Sequence, residues 1–165
     1  MRSLPFLLLA GLALLFLVPS TMSDEGPGPQ MVLAGSYDTP GHATGVAVSG
    51  DYAYIADGDN GVVVVDVSDP TNPTYAGNYN TSGYTVDVVV SGGYAYVADY
   101  NNGLVVMNVS DPTDPTEVGS YNTDGNARGV AVAGNYAYIA DETNGYPTWT
   151  GGLVVVDVSD PANPT

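Results

Sequence analysis

A 42-residue internal repeat constrains this chain more than any other feature. Tyr52-Ala-Tyr-Ile-Ala-Asp57 returns as Tyr94-Ala-Tyr-Val-Ala-Asp99 and again as Tyr136-Ala-Tyr-Ile-Ala-Asp141, 42 residues apart each time. The valine-rich run from Gly61 to Pro70 returns at Gly103 to Pro112 and at Gly152 to Pro161. The second step of that run is 49 residues, so the third unit carries seven extra residues (49 − 42) between Asp141 and Gly152. Self-similarity at this period marks units that cannot bury an apolar face alone and do so by stacking on their neighbours.

Each unit parses into four strands, A to D. Strand A falls near Thr44–Ser49, Val86–Ser91 and Arg128–Ala133. The pairs Gly50-Asp51, Gly92-Gly93 and Gly134-Asn135 follow it and suit primed two-residue hairpin turns. Strand B is the YAY(I/V)AD segment and strand C the valine run. The Ser-Asp-Pro stretch after strand C ends the ladder, because proline has no N–H to donate. Strand D falls near Thr74–Asn80 and Thr116–Asn122. Helical periodicity is absent after the leader.

Strand C is apolar at consecutive positions (Val62 to Val65, Leu104 to Met107, Leu153 to Val156). A strand with one wet face would alternate, so strand C is expected to be covered on both faces. Strand B is expected to set bulky Tyr52 and Tyr54 on one face and small Ala53 and Ala56 on the other. Sheets stacked face to face around an axis would mesh in this way. The expected fold is therefore all-β: a β-propeller of four-stranded antiparallel blades, here about three blades and an incomplete ring.

The segments GVVVVDVSDPTNPT, GLVVMNVSDPTDPT and GLVVVDVSDPANPT, each preceded by YAY(I/V)AD, resemble the LVIVD repeat. The resemblance covers about 44–165. It implies four-stranded propeller blades in a bacterial or archaeal surface or secreted protein, and it carries no general catalytic residues. Asn108 departs from the motif where the other units have Asp66 and Asp157.

Met31–Thr39 (MVLAGSYDT) matches strand D of the first unit (TYAGNYNT), so the repeat region at 31–165 opens with an unattached D strand at 31–39. Blades are expected at 44–80, 86–122 and 128–165. Three blades are fewer than the roughly four to eight of a closed propeller. The expectation is a truncated product; pairing of two copies into a six-bladed ring and a short open array are the alternatives. Unpaired blade edges would favour self-association.

The first residues differ from the rest. Met1-Arg2 precedes an apolar run from Leu4 to Val18 and then small residues to Ser23. That order is a secretory signal peptide, expected over 1–23, with 24–30 as a leader. The run is short of the roughly 20 residues a membrane-spanning helix needs. Extracellular or cell-surface location follows, without membrane insertion after cleavage. Arg128 is then the only basic residue, because the chain has no lysine, against 18 acidic ones. Such a surface would repel nucleic acid and anionic membranes. With no cysteine, the chain has neither disulfides nor thiolate sites.

In an up-down blade the B–C and D–A loops share one face. That face gathers Asp57, Asp59, Asp99, Asp124, Asp141 and Glu142, together with the inserted loop Glu142–Gly151. Within that loop, Tyr146 and Trp149 are candidates to stack on a sugar or peptide. Asp57-Gly-Asp-Asn-Gly61 is the closest approach to a calcium loop, with Asp57 and Asp59 as candidate metal ligands. It lacks the following bidentate Glu, and a turn rich in Asp, Asn and Gly accounts for it equally. Asp87 and Arg128 should begin innermost strands of neighbouring blades near the channel mouth, where they could form an ion pair or touch a ligand. His42 stands alone, and no nucleophile, zinc or phosphate-loop motif is present. Asn80-Thr-Ser82 and Asn108-Val-Ser110 fit the glycosylation sequon.

These features imply a non-catalytic interaction or adhesion scaffold that presents loops to a protein or glycan and needs no cofactor. The alternative is a metal-dependent hydrolase whose site is completed by further blades.

Overall fold

The computed structural model describes residues 30–143 and 150–165. The signal peptide expected over 1–23 and all but the last residue of the expected leader lie outside that set, as do Tyr146 and Trp149. The chain divides into Met1–Val32 and Leu33–Thr165, and the second unit carries every described strand. No described helix is long and apolar enough to cross a membrane.

Among the described residues, eleven strands form three antiparallel sheets, one per repeat. The first blade is β1 (Gly45–Ser49), β2 (Tyr52–Ala56), β3 (Val62–Asp66) and β4 (Thr74–Tyr79), paired in that order. The second is β5 (Asp87–Ser91), β6 (Tyr94–Ala98), β7 (Leu104–Asn108) and β8 (Thr116–Tyr121). The third has three strands: β9 (Asn126–Ala133), β10 (Tyr136–Thr143) and β11 (Thr150–Asp157), with β11 at an edge.

The A–B turns behave as their glycines require. Gly50 and Gly134 take positive φ (59° and 58°) while the residue after each does not, the pattern of a II′ turn. Gly92 and Gly93 both take positive φ, as a I′ turn demands. The seven extra residues lengthen the β10–β11 hairpin. Pairing continues beyond the repeat through Asp141↔Gly152, Glu142↔Gly151 and Thr143↔Thr150.

Two apolar clusters join the blades. Tyr54, Ala56, Val62 and Val64 of the first blade meet Val88, Ala95, Val97, Val105 and Met107 of the second. Tyr96, Ala98, Leu104 and Val106 of the second meet Ala137, Ile139 and Val156 of the third. Strand C is covered on both faces in the first two blades, with Val62 to Val65 and Leu104 to Met107 all buried, but not in the third, where no described sheet lies against Leu153 and Val155 and both are exposed. Full burial of such a side chain is worth about 1.5–3 kcal/mol, so these joints carry much of the stability.

The expected division of strand B needs correcting. Side chains alternate with period two, so Tyr54 and Ala56 share a face while Ala53 lies with Ile55. The same holds for Tyr96 and Ala98, which fall in one cluster while Ala95 and Val97 fall in the other. The bulky ring is therefore flanked on its own face by a small residue that lets the next sheet approach.

Leu33–Thr39 does not form a strand. It nevertheless packs on the first blade as strand D of each later repeat packs on the next. A Cβ added at Gly35 would lie 2.4 Å from the Pro70 carbonyl. The equivalent distances are 2.7 Å from Gly77 to Pro112 and 2.4 Å from Gly119 to Pro161. What it lacks among the described residues is a ladder partner: β4 and β8 each pair with the C strand of their own blade, and this segment pairs with no described strand.

Candidate functional site

The end of each blade where strand B meets strand C is built around one buried carboxylate. Asp57 and Asp99 are fully buried and Asp141 nearly so. Each lies under the D–A loop of the repeat before it. The Thr39 hydroxyl donates to Asp57 Oδ1 at 2.6 Å, Thr81 to Asp99 Oδ1 at 2.7 Å, and Thr123 to Asp141 Oδ1 at 2.6 Å. The Gly41 amide donates to the other Asp57 oxygen at 2.8 Å, and Asn102 Nδ2 donates to Asp99 Oδ2 at 3.0 Å. Glycine two residues after each threonine lets the loop close on the carboxylate. A Cβ at Gly83 or Gly125 would come within 2.6 or 2.3 Å of an Asp oxygen.

Thr85 ties the same face together along the chain. Its hydroxyl donates to the Gly58 and Gly61 carbonyls, and the Thr44 hydroxyl reaches the Thr85 carbonyl at 3.3 Å. Among the described residues every buried side-chain N or O has a hydrogen-bond partner. The two loop sets therefore do share a face, and it is a pre-formed hydrogen-bonded platform.

The candidate metal ligands sit differently from one another. Both Asp57 oxygens already accept hydrogen bonds, whereas Asp59 is exposed. Among the described residues no group of three or more His, Cys, Asp or Glu is placed to hold a metal. His42 is exposed.

The expected Asp87–Arg128 ion pair does not form. Asp87 lies half-buried at the start of β5, with Oδ1 accepting the Val88 amide at 2.9 Å and Oδ2 the Val130 amide of β9 at 3.1 Å. Backbone donors from its own and the next blade thus satisfy it. Its repeat equivalents are Gly45 and Gly129, which leave room for its side chain on either side. Arg128 is the extra residue of a β-bulge in β9, where pairing slips between Ala140 and Asp141. A bulge re-aims the side chain it carries. The guanidinium turns to Glu142, at 2.7 Å from both Nε and Nη2, and stacks 4.7 Å from the Tyr100 ring centroid. Arg128 is half exposed, so this cluster is a surface feature beside the lengthened hairpin.

On the opposite loop set, exposed carboxylates organise turns. Asp69 and Asp111 accept from the hydroxyl and amide of Thr71 and Thr113. Those bonds hold both carboxyls below the usual 3.8. Asn108 accepts the Ser110 amide at 2.9 Å just as Asp66 accepts that of Ser68 at 2.8 Å, so the motif position needs an acceptor and not a charge.

The carboxylate clamp escaped the sequence reading, which took its members for separate turn residues. The signal was present: Thr-x-Gly recurs at 39, 81 and 123, each 18 residues before the Asp that closes strand B.

Blade order, meshing faces and an inter-repeat clamp define a propeller-type repeat module that remains open at both ends. A profile of the LVIVD repeat matches residues 40–81, 82–123 and 124–165. The chain belongs to the LVIVD repeat family. No curated protein matches it.

Proposed function

We propose that this chain is the propeller part of a secreted or cell-surface protein and works as a non-catalytic interaction scaffold. Its partner, a protein or glycan, meets the face formed by the D–A and B–C loops. The observation that carries this reading is the contrast within that face. Three repeats hold it rigid with the same threonine–aspartate hydrogen bond, while the lengthened β10–β11 hairpin departs from the repeat. Variable segments on a fixed scaffold are where binding residues concentrate. The signal-peptide pattern at 1–23 supports export, and the excess of 18 acidic over 2 basic residues disfavours nucleic acid as partner.

Glycan-array and pull-down binding by the wild-type chain and by Trp149→Ala tests the reading. Specific binding that falls at least tenfold in the variant is expected. Binding that is unchanged by Trp149→Ala and by removal of residues 144–149 would contradict it.

A further inference from the structure

Residues that blade stacking needs recur from repeat to repeat, so departures gathered at one place call for another reason. The two interior joints differ in this way on the platform face. In the first, Gly58 opens the B–C turn at φ 61°, and the Tyr84 ring lies against it, 2.9 Å from where a Cβ would be. In the second, those two positions hold Tyr100 and Asn126. Tyr100 keeps the left-handed backbone, at φ 45°, although it carries a bulky side chain. Asp124, in the loop leading to β9, is the other described non-glycine residue with positive φ, at 61°. Such a backbone is strained for a residue like tyrosine, and strain of this kind gathers where ligands are held. Closing the joint does not demand it. The Thr85 amide donates to the Gly58 carbonyl at 3.1 Å, and the Ala127 amide donates to the Tyr100 carbonyl at 2.8 Å, so the same bridge forms with or without the ring. The residue after that bridge is Val86 in the first joint and Arg128 in the second.

The geometry points to a binding site for a neutral saccharide at the second joint, with the Arg128 guanidinium and the Glu142 carboxylate as its contacts and Tyr100 as the residue that positions Arg128. It rests on the scaffold reading above and names the partner class for that face. Glu142 Oε2 takes the Nε proton and one Nη2 proton, at 2.7 Å from each nitrogen, and the Tyr100 ring supports the guanidinium 4.7 Å from its centroid. The Nη1 amino group, the other Nη2 proton and Glu142 Oε1 keep no partner among the described residues. A donor edge and an acceptor are thus fixed side by side. Adjacent ring hydroxyls of a sugar each donate and accept, so they match both groups at once. An anionic ligand matches only the donor edge. Glu142 Oε1 would face it, the ion pair carries no net charge to attract it, and the chain's formal charge of −16 opposes it.

The test applies the full chain to a printed array of neutral, uronic-acid and sulfated oligosaccharides and titrates the best-bound saccharide by calorimetry. Neutral saccharides are expected to bind, with an affinity that changes less than about twofold between roughly 50 and 500 mM salt, because no ion pair forms with the ligand. Arg128→Lys keeps the charge but loses the planar fork, and should weaken binding at least about tenfold. Tyr100→Gly, which takes the residue of the first repeat, should weaken it by a similar factor with an unchanged circular dichroism spectrum. Tyr100→Phe keeps the ring under the guanidinium and should stay within about twofold of wild type. Binding to acidic saccharides alone, an affinity that falls with salt, or wild-type affinity in Arg128→Lys would each overturn the assignment. Saccharide or protein binding that is lost in Trp149→Ala but indifferent to Arg128→Lys would overturn this site and leave the scaffold reading standing. No specific binding of any saccharide or protein would overturn both.

Discussion

Replacing Asp99 with alanine removes the central carboxylate clamp. The carboxylate accepts from Thr81 Oγ at 2.7 Å and from Asn102 Nδ2 at 3.0 Å, at a site with no solvent exposure. A hydrogen bond to a charged group contributes about 1.5–3 kcal/mol. Thr81, itself buried, would be left with an unpaired hydroxyl. The variant also recovers the desolvation of a buried charge, which sets the net loss near 3 kcal/mol rather than the sum of both bonds. That is a large share of a typical domain stability of about 5–15 kcal/mol. Urea unfolding is the assay, with an unchanged slope required so that the midpoint reports stability alone. Asp59→Ala is the internal control, since an exposed turn carboxylate should move stability by less than about 0.5 kcal/mol. A double-mutant cycle with Thr81→Ala should show coupling of about 1 kcal/mol or more. Equal effects of Asp99→Ala and Asp59→Ala, or additive Asp99 and Thr81 losses, would refute the clamp.

Other expectations follow from the same geometry. Leu104→Ala should cost about 2–5 kcal/mol as a cavity in the second joint. The same change at exposed Leu153 should cost under about 0.5 kcal/mol; equal thermal shifts would contradict the stacking order. Gly77→Ala forces a Cβ to 2.7 Å from the Pro112 carbonyl and should destabilise by about 1–3 kcal/mol, read by thermal melting. Arg128→Ala removes a half-exposed ion pair and should cost no more than about 1 kcal/mol, with the loss shrinking in high salt. For Asp69 and Asp111 the folded pKa lies below 3.8, so in the window just below 3.8 the unfolded chain binds more protons. Their contribution is complete above 3.8 and fades as pH falls through the folded value. Thr71→Val and Thr113→Val should flatten that part of the stability–pH curve, measured by urea titration between pH 2 and 5 (about the carboxylate range).

Much of the fold was written in period and spacing. Four consecutive apolar positions in each C strand demanded cover on both faces; Val62 to Val65 and Leu104 to Met107 have it, while Leu153 and Val155 do not. The glycine pairs after strand A suited the primed turns that form, whereas 31–39, expected as an unattached strand D from its likeness to the later repeats, forms no strand. The failures have physical reasons. Ala56 was set on the wrong face because its size was weighed and its parity was not. The Asp87–Arg128 pair was inferred from repeat offsets, which assume a regular strand; the bulge at Arg128 breaks that regularity and points the guanidinium to Glu142. The clamp was missed because Thr, Gly and Asp are also ordinary turn residues, and only the constant 18-residue step between repeats sets them apart.

Methyl-resolved nuclear Overhauser spectroscopy tests most directly whether the repeats stack blade on blade. Cross-peaks should connect the Leu104 and Val106 methyls of β7 to those of Ile139 and Val156 in the next repeat, which share one buried cluster with them. Cross-peaks confined to residues of a single repeat would contradict the stacked arrangement and with it the whole account.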